Sequence, residues 1–272
     1  MKVELIQVDR EKCVKCGICA DVCPIGIIHM KQEWPEQADP ESCIACGHCT
    51  AACPHEALDN LRAPLSGQTV MAKFPAMPQE QAYQFLRSRR SIRNYEKRPV
   101  PREKLLQLLD IARFAPTASN FQSISYVVIE DPQILQRIRV LINAWMEEQL
   151  QLGSYWAQRY AGVLKRFEGT ETDTVLRNAP CIIVAAAPKG LENGRDNTKF
   201  SLAYVELYAP AIGLGTCWAG LLQMCAFSGY KPLLELLNLP EDREFTGAII
   251  AGYPKYRYNR LVDRNPLQVE FR

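Results

Sequence analysis

The sequence lacks an excess of charge of either sign, and it lacks an apolar run at its start. Its 32 Lys and Arg nearly balance its 30 Asp and Glu, for a formal net charge of +2. Without a global field we expect neither a nucleic acid nor a membrane as partner, and any anion site must be local. The opening residues MKVELIQVDREK carry charges where a secretory leader is apolar. We therefore expect a cytoplasmic protein with reduced cysteines.

Long uninterrupted apolar segments are also absent. Residues 207–230 contain no charged side chain and reach the ~20 residues that span a bilayer. Pro210 and several glycines interrupt this segment, which favours two core elements joined by a turn. The 272 residues, 47% hydrophobic and 23% charged, have the composition of a folded chain with one large and one small domain.

Cysteine is concentrated at one end of the chain. Eight of the eleven cysteines lie in the first 53 residues, where CVKCGICADVCPIGII (13–28) returns as CIACGHCTAACPHEAL (43–58). Each copy has the spacing CxxCxxCxxxCP, in which three cysteines ligate one 4Fe-4S cluster and the fourth crosses to the other. The pattern predicts one cluster on Cys13, Cys16, Cys19 and Cys53, and a second on Cys43, Cys46, Cys49 and Cys23.

Structural zinc is the alternative interpretation, because CxxC pairs also hold zinc in tetrahedral sites. Zinc ribbons use two such pairs per site and need neither the third cysteine nor the CP ending. The segment therefore resembles a two-cluster bacterial ferredoxin with no ligand missing. The three remaining cysteines, Cys181, Cys217 and Cys225, are expected in the core.

The chain is predicted to have a ferredoxin-like domain over 1–60, a linker over 61–78 that is punctuated by proline, and a larger domain over 79–272. In the larger domain, helical patterns alternate with strand patterns, which favours an α/β or α+β fold. Helices are expected over 79–87, 101–114, 131 to about 178, 197–212 and 231–237. Strands are expected over 125–129, 181–187 and 246–253, with a terminal edge strand over 267–271.

A basic stretch between residues 87 and 98 holds six Lys or Arg against one acid. Such a density can bind a phosphate, although a solvated helix end would look the same. Three segments carry a resemblance: RRSIRNYEKRPVPREKLLQLLDIARFAPTASNFQS (89–123), GLGTCWAG (213–220) and GYPKYRYNR (252–260). In this order they resemble the nitroreductase family of FMN oxidoreductases, from about residue 80 to the end.

The resemblance implies an α+β fold, with a sheet flanked by helices, in a homodimer that binds FMN between its subunits. It places Arg89, Arg90, Ser91 and Arg93 at the FMN phosphate and the flavin pyrimidine edge, and it brings Arg257 and Arg260 to the phosphate. Backbone amides of Ala219, Gly220 and Leu221 are expected near flavin N5. The partner subunit is expected to contribute Pro116, Thr117, Ala118, Asn120 and Gln122.

Together the two resemblances imply an oxidoreductase in which the clusters relay single electrons to FMN, which pairs them for a two-electron reduction. The expected substrate is a small electron-poor molecule such as a nitro compound or a quinone. The expected donor is a low-potential ferredoxin or NAD(P)H, and the reverse direction stays open. No acid or base side chain is evident for the chemical step, so no catalytic residue is predicted. The alternative is an electron carrier or a flavin-handling protein without a dedicated organic substrate.

Overall fold

The computed structural model describes residues 4–71, 75–169 and 173–272. The chain divides into two compact units. The first unit contains the chain up to Ala76 together with the short segment Ala118–Phe121, and the second contains Met77–Thr117 and Gln122–Arg272. The division after residue 76 falls inside the predicted linker.

The first unit contains two small antiparallel sheets and two short helices. Its strands are β1 (Ile6–Val8), β2 (Ile28–Lys31), β3 (Trp34–Gln37) and β4 (Leu58–Asn60), and its helices are α1 (Ile18–Asp21) and α2 (His48–Ala51). Strand β1 pairs with β4, and β2 pairs with β3. The helices begin after Gly17 and Gly47, which have φ of 78° and 70°. Because glycine adopts this left-handed conformation without a steric cost, both copies of the repeat turn into a helix at the same point.

The chain after β4 remains attached to the first unit. The amide of Leu61 donates to the carbonyl of Leu5. The Gln68 side chain donates to Thr50 Oγ1 at 2.6 Å and to the Ala63 carbonyl at 3.0 Å. Hydrogen bonds therefore attach residues 61–68 to the first unit, beyond the predicted boundary at residue 60. Composition alone does not reveal such hydrogen bonds.

The second unit is built on a four-stranded antiparallel sheet with the order β5, β6, β8, β7. The strands are β5 (Ser125–Ile129), β6 (Cys181–Pro188), β7 (Gly215–Trp218) and β8 (Arg243–Gly252). Successive residues of β6 face opposite sides of the sheet. Ile182 and Val184 belong to one apolar cluster, whereas Ile183 and Ala185 belong to another. Strand β6 is therefore buried on both faces.

Helices cover both faces of this sheet. The helices of the second unit are α3 (Gln79–Ser88), α4 (Arg102–Asp110), α5 (Pro132–Gln151), α6 (Tyr155–Gly169), α7 (Gly194–Tyr208), α8 (Gly220–Phe227) and α9 (Lys231–Leu237). One face packs against α5, α8 and α9, and the other packs against α4 and α7. Helix α5 begins where the sequence predicts, because the Asp131 carboxylate accepts hydrogen bonds from the amides of Gln133 and Ile134. The predicted α+β fold with a flanked sheet is confirmed.

The predicted edge strand at 267–271 is wrong. This segment has no regular structure, and Leu267 and Phe271 are 87% and 91% exposed. An alternating pattern does not form a strand without a neighbouring strand to pair with, and the residues that the structure describes provide none for this segment. Residues 207–230 form a short strand and a helix joined by a turn, as expected. Within the described ranges, no helix combines the length and the apolar character needed to cross a bilayer.

Candidate functional site

Four cysteine side chains surround one cavity in the first unit. They are Cys13, Cys16 and Cys19 of the first repeat and Cys53 of the second. The short helix α1 begins one residue before Cys19. The remaining wall is mostly apolar, with Ile18, Met30 and Leu58, and it also includes Lys15 and His55. The fourth cysteine thus comes from the other repeat, and the four cysteines are the ones that the spacing predicts to lie together.

The other four repeat cysteines surround a second cavity in the same unit. Cys43, Cys46 and Cys49 come from the second repeat, and Cys23 crosses from the first. Among the described residues, no three His, Cys, Asp or Glu side chains converge as the ligands of a single metal ion do. Four thiols around a cavity suit a group with several metal corners instead. The eight side chains therefore fit two 4Fe-4S clusters.

Burial and backbone amides act in opposite directions on the pKa of the Cys23 thiol. Burial opposes the charged form, but hydrogen bonds from the amides of Ile27, Ile25 and Ile28 outweigh it and lower the pKa of Cys23. Burial raises the pKa of Cys19 and of Cys49. An iron ion deprotonates such a thiol when it binds, so the raised values describe the thiols without metal.

In the second unit, the basic segment predicted to bind FMN lies along strand β7. The amide of Ile92 donates to the Thr216 carbonyl at 2.8 Å. A Cβ on Gly215 would come within 2.5 Å of Ile92, so only glycine permits this close approach. The segment thus brings Ser91 and Arg93 to Cys217. Burial raises the pKa of that thiol, while the Arg93 charge and a Ser91 hydrogen bond lower it.

A cavity lined with cations opens beside this segment. Arg90, Arg98, Lys255 and Arg257 line it together with residues 213–216, and two acids, Glu96 and Glu206, also line it. The Arg90 guanidinium lies 5.3 Å from the ring centroid of Tyr258. Arg260 is exposed and is not among the residues that line the cavity. Of the two predicted tail arginines, the structure therefore brings only Arg257 to the same cavity as Arg90.

The amides predicted near flavin N5 are partly engaged. The amide of Ala219 donates to the Ala248 carbonyl of β8 at 3.0 Å, so within this chain it already has a hydrogen-bond partner. Gly220 and Leu221 form the first turn of α8. Amides in a first turn make no hydrogen bond within their helix. The amides of Gly220 and Leu221 therefore remain the candidates for a contact with flavin N5.

The residues predicted to come from the partner subunit are divided between the units. Pro116, Thr117 and Gln122 belong to the second unit, whereas Ala118 and Asn120 belong to the first. The Gln122 amide donates to Thr117 Oγ1 at 3.1 Å. Asn120 Nδ2 donates to the carbonyls of Ile44 and Ala45 at 2.9 and 3.0 Å. Within one chain, the Asn120 amide is therefore engaged by the loop between Cys43 and Cys46.

Two buried polar residues escaped the sequence analysis. Glu206 on α7 is 5% exposed, and its Oε2 accepts a hydrogen bond from Trp218 Nε1 at 2.7 Å. Its Oε1 lies 3.6 Å from Arg89. Burial raises the pKa of Glu206 although the Arg89 charge and the Trp218 bond lower it. The signal was a single acid within residues 200–214, which are otherwise uncharged. The second missed residue, Asn60, lies just past the end of the repeat.

The two sites define a class of protein: an electron-transferring oxidoreductase with an iron–sulfur unit and a larger unit with an anion site. Residues 86–253 match the Nitroreductase family, and residues 12–57 match the 4Fe-4S dicluster domain. Because the first match covers more than half of the chain, this chain belongs to the nitroreductase family. The predicted family and the N-terminal dicluster domain are both confirmed.

Individual relatives show the range of the family. A protein of Archaeoglobus fulgidus, provisionally named NADH dehydrogenase/NAD(P)H nitroreductase, is 26% identical over 65% of this chain and 87% of its own length. Iodotyrosine deiodinase 1 of Rattus norvegicus is 27% identical over 65% of this chain and 64% of its own. A solved nitroreductase of Desulfitobacterium hafniense with bound FMN has a TM-score of 0.57 at 18% identity, over 72% of this chain and all of that one.

Proposed function

We propose that this chain is an FMN-dependent oxidoreductase in which two 4Fe-4S clusters relay electrons to FMN, and FMN reduces an electron-poor organic substrate. The observation that carries the proposal is the presence of two sites of different chemistry in one chain. Eight thiols surround two cavities in the first unit. In the second unit, four Lys or Arg side chains and two Glu side chains line a cavity beside a backbone segment that approaches strand β7 closely.

The residues of the second unit suit an anionic cofactor with a phosphate group. Arg90 and Arg257 line one cavity and offer guanidinium groups that bind phosphate in pairs of hydrogen bonds. Arg93 places a positive charge near Cys217, on the strand that leads to α8. FMN supplies the conversion between one-electron and two-electron transfer when it is bound. The solved Desulfitobacterium hafniense neighbour binds FMN, which supports this choice of cofactor.

The proposed substrate is a small molecule that accepts two electrons, such as a nitro compound or a quinone. The name of the archaeal relative supports nitro reduction with NAD(P)H as a donor. The rat relative, named a deiodinase, favours a second candidate, the reductive removal of iodide from an aromatic ring. An electron carrier or a flavin-handling protein is the alternative without an organic substrate.

We further propose a homodimer, in which a second copy completes the flavin site. The end of the chain supports this proposal, because Leu267, Val269 and Phe271 are 87%, 61% and 91% exposed. Apolar side chains at this exposure are typical of an arm that packs against another subunit. Sedimentation of the FMN-loaded protein should give a dimer. A monomer that retains one FMN per chain would contradict the proposal.

Anaerobic turnover tests the proposed function. The reconstituted protein is supplied with NADH, NADPH or reduced ferredoxin in turn, and with a nitroarene, a quinone or an iodotyrosine. Consumption of two electrons per product molecule supports an enzyme, and the product identifies the substrate class. FMN binding without turnover of any of these acceptors would favour the carrier or flavin-handling alternative.

A further inference from the structure

The two halves of the cysteine repeat differ at positions that face the clusters. The repeat offset of 30 residues pairs Met30 with Asn60 and Ile18 with His48. Met30 and Ile18 both line the first cavity, and Asn60 lines the second. At these two positions the first cavity has apolar side chains where the second repeat carries polar ones. At a third pair the order is reversed, because His55 lines the first cavity and Ile25 the second, but His55 is exposed.

Asn60 directs hydrogen-bond donors at two of the second cavity's thiols. Its Nδ2 lies 3.6 Å from Cys49 Sγ and 3.8 Å from Cys43 Sγ. Its Oδ1 accepts the backbone amide of Arg62 at 2.9 Å. Because a backbone amide only donates, this bond fixes which end of the Asn60 side chain faces the sulfurs.

Burial and backbone pairing hold Asn60 in this position. The residue is 2% exposed, and it pairs with Ile6 in the register of β1 and β4. The His48 ring also reaches this site, with Nδ1 3.0 Å from Cys46 Sγ. A second amide, from Asn120, holds the carbonyls of the Cys43–Cys46 loop. The polar contacts of the second cavity are therefore fixed by the fold.

The first cavity has a nearby charge but no equivalent donor at the paired position. Met30 carries only a thioether, which donates no hydrogen bond. Lys15 lines this cavity, but its ammonium group pairs with the Glu33 carboxylate, and both side chains are more than a third exposed. Solvent screens the charges of such a pair. The pair therefore influences the cluster less than a buried N–H donor directed at a cysteine sulfur does.

We propose that Asn60 makes the cluster held by Cys43, Cys46, Cys49 and Cys23 the more easily reduced of the two. Reduction adds one electron and one negative charge to a cluster. N–H groups directed at its cysteine sulfurs stabilise the added charge, and hydrogen bonds to sulfur are a known determinant of cluster potential. Each dithionite-derived electron goes to one cluster, dithionite is oxidised to sulfite, and Asn60 transfers no proton.

Redox titration of the full chain with dithionite, followed by electron paramagnetic resonance, tests the proposal. The unmodified chain should be reduced in two steps. Cys46→Ser changes the spectrum of the second-repeat cluster only, and it should therefore alter the species that appears first. Two steps of equal potential, or a first step unaffected by Cys46→Ser, would overturn the proposal.

Matched exchanges between the repeats test the role of Asn60 itself. Asn60→Met copies the first repeat and should lower the potential of the higher step, by about tenfold in the ratio of reduced to oxidised cluster, or 59 mV for one electron. Met30→Asn should raise the lower step. Unchanged potentials in both variants at full iron content would overturn the proposal.

A second substitution covers the case in which Asn60→Met loses iron. Asn60→Asp keeps an oxygen for the Arg62 amide but replaces the N–H donors with a second, negatively charged oxygen, so it should lower the same step by more than Asn60→Met does. An unchanged potential in Asn60→Asp would again count against the proposal. The inference rests on the two clusters and not on the organic substrate. The experiments measure cluster potentials and not turnover. A failure of this inference can therefore be distinguished from a failure of the proposed function.

Discussion

The two units of this chain obtain their stability in different ways. The first unit has short elements and a small core that includes Leu5, Ile28 and Leu58. The second unit has a sheet with apolar side chains packed against both of its faces. A unit of about 76 residues rarely gains enough from its core alone and relies on cross-links such as metal sites. We therefore expect the first unit to depend on its clusters and the second to depend on packing.

Removing one crossing ligand should have the largest effect. Cys23→Ala should abolish the cluster in the second cavity, and iron should fall by about four of eight atoms per chain because each cluster holds four. Anaerobic iron analysis measures this loss. The matched control is Cys225→Ala, which removes a fully buried thiol from the second unit and should leave iron unchanged. Full iron content in Cys23→Ala would break the contrast between the units.

A cavity in the large core should have the next largest effect, and it should spare the clusters. Ile183 is fully buried at the centre of β6. Ile183→Ala should lower the free energy of unfolding of the second unit by about 2–5 kcal/mol, through lost burial and the cavity that remains. Chemical unfolding followed by circular dichroism measures it. Val140→Ala, at a half-exposed position of α5, should change stability by less than about 0.5 kcal/mol. If Ile183→Ala lost iron in proportion to its loss of stability, the two units would not be stabilised independently of each other.

The arginine pair in the tail provides a sharper test within the second unit. Arg257→Ala should weaken FMN binding by about tenfold or more, because a charge-assisted phosphate contact contributes ~1.5–3 kcal/mol. Arg260→Ala is the matched control, since Arg260 does not line the cavity. FMN titration by fluorescence quenching measures both constants. Equal weakening in the two variants would mean that the tail rearranges around the phosphate.

Glu206 should give the smallest effect, and one that depends on pH. Its pKa is raised in the folded state, mainly by burial, so the folded chain binds more protons than the unfolded chain above the ordinary glutamate value. Stability should therefore fall as the pH rises through that window, by on the order of 1 kcal/mol. Glu206→Gln should flatten this dependence in thermal unfolding measured between pH 4 and pH 8. If the pH dependence of stability were unchanged in Glu206→Gln, Glu206 would not be its source.

Spacing in the sequence was enough to predict which cysteines share a cavity, because cluster chemistry requires fixed separations along the chain. The crossing of Cys23 and Cys53 follows from the CP ending, and the cavities contain the predicted cysteines. Helix α9 was likewise predicted over its full range, since Pro232 and the leucines that follow define a start and an apolar face.

Contacts between distant residues could not be predicted in the same way. The engagement of the Ala219 amide depends on the register of β8, more than twenty residues later in the chain. The contact of Asn120 with Ile44 and Ala45 joins residues more than seventy positions apart. Asn60 and Glu206 were missed because a polar residue is recognised as buried only when its neighbours are known.

Stopped-flow reduction of FMN by reduced ferredoxin tests most directly whether the clusters feed the flavin. The experiment compares the unmodified chain with a Cys16→Ala, Cys46→Ala variant that lacks one ligand of each cluster and is loaded with FMN to the same content. We predict rapid flavin reduction in the unmodified chain and none above the buffer control in the variant. Equal rates in the two proteins would contradict the account, because ferredoxin would then pass its electrons to FMN without the clusters.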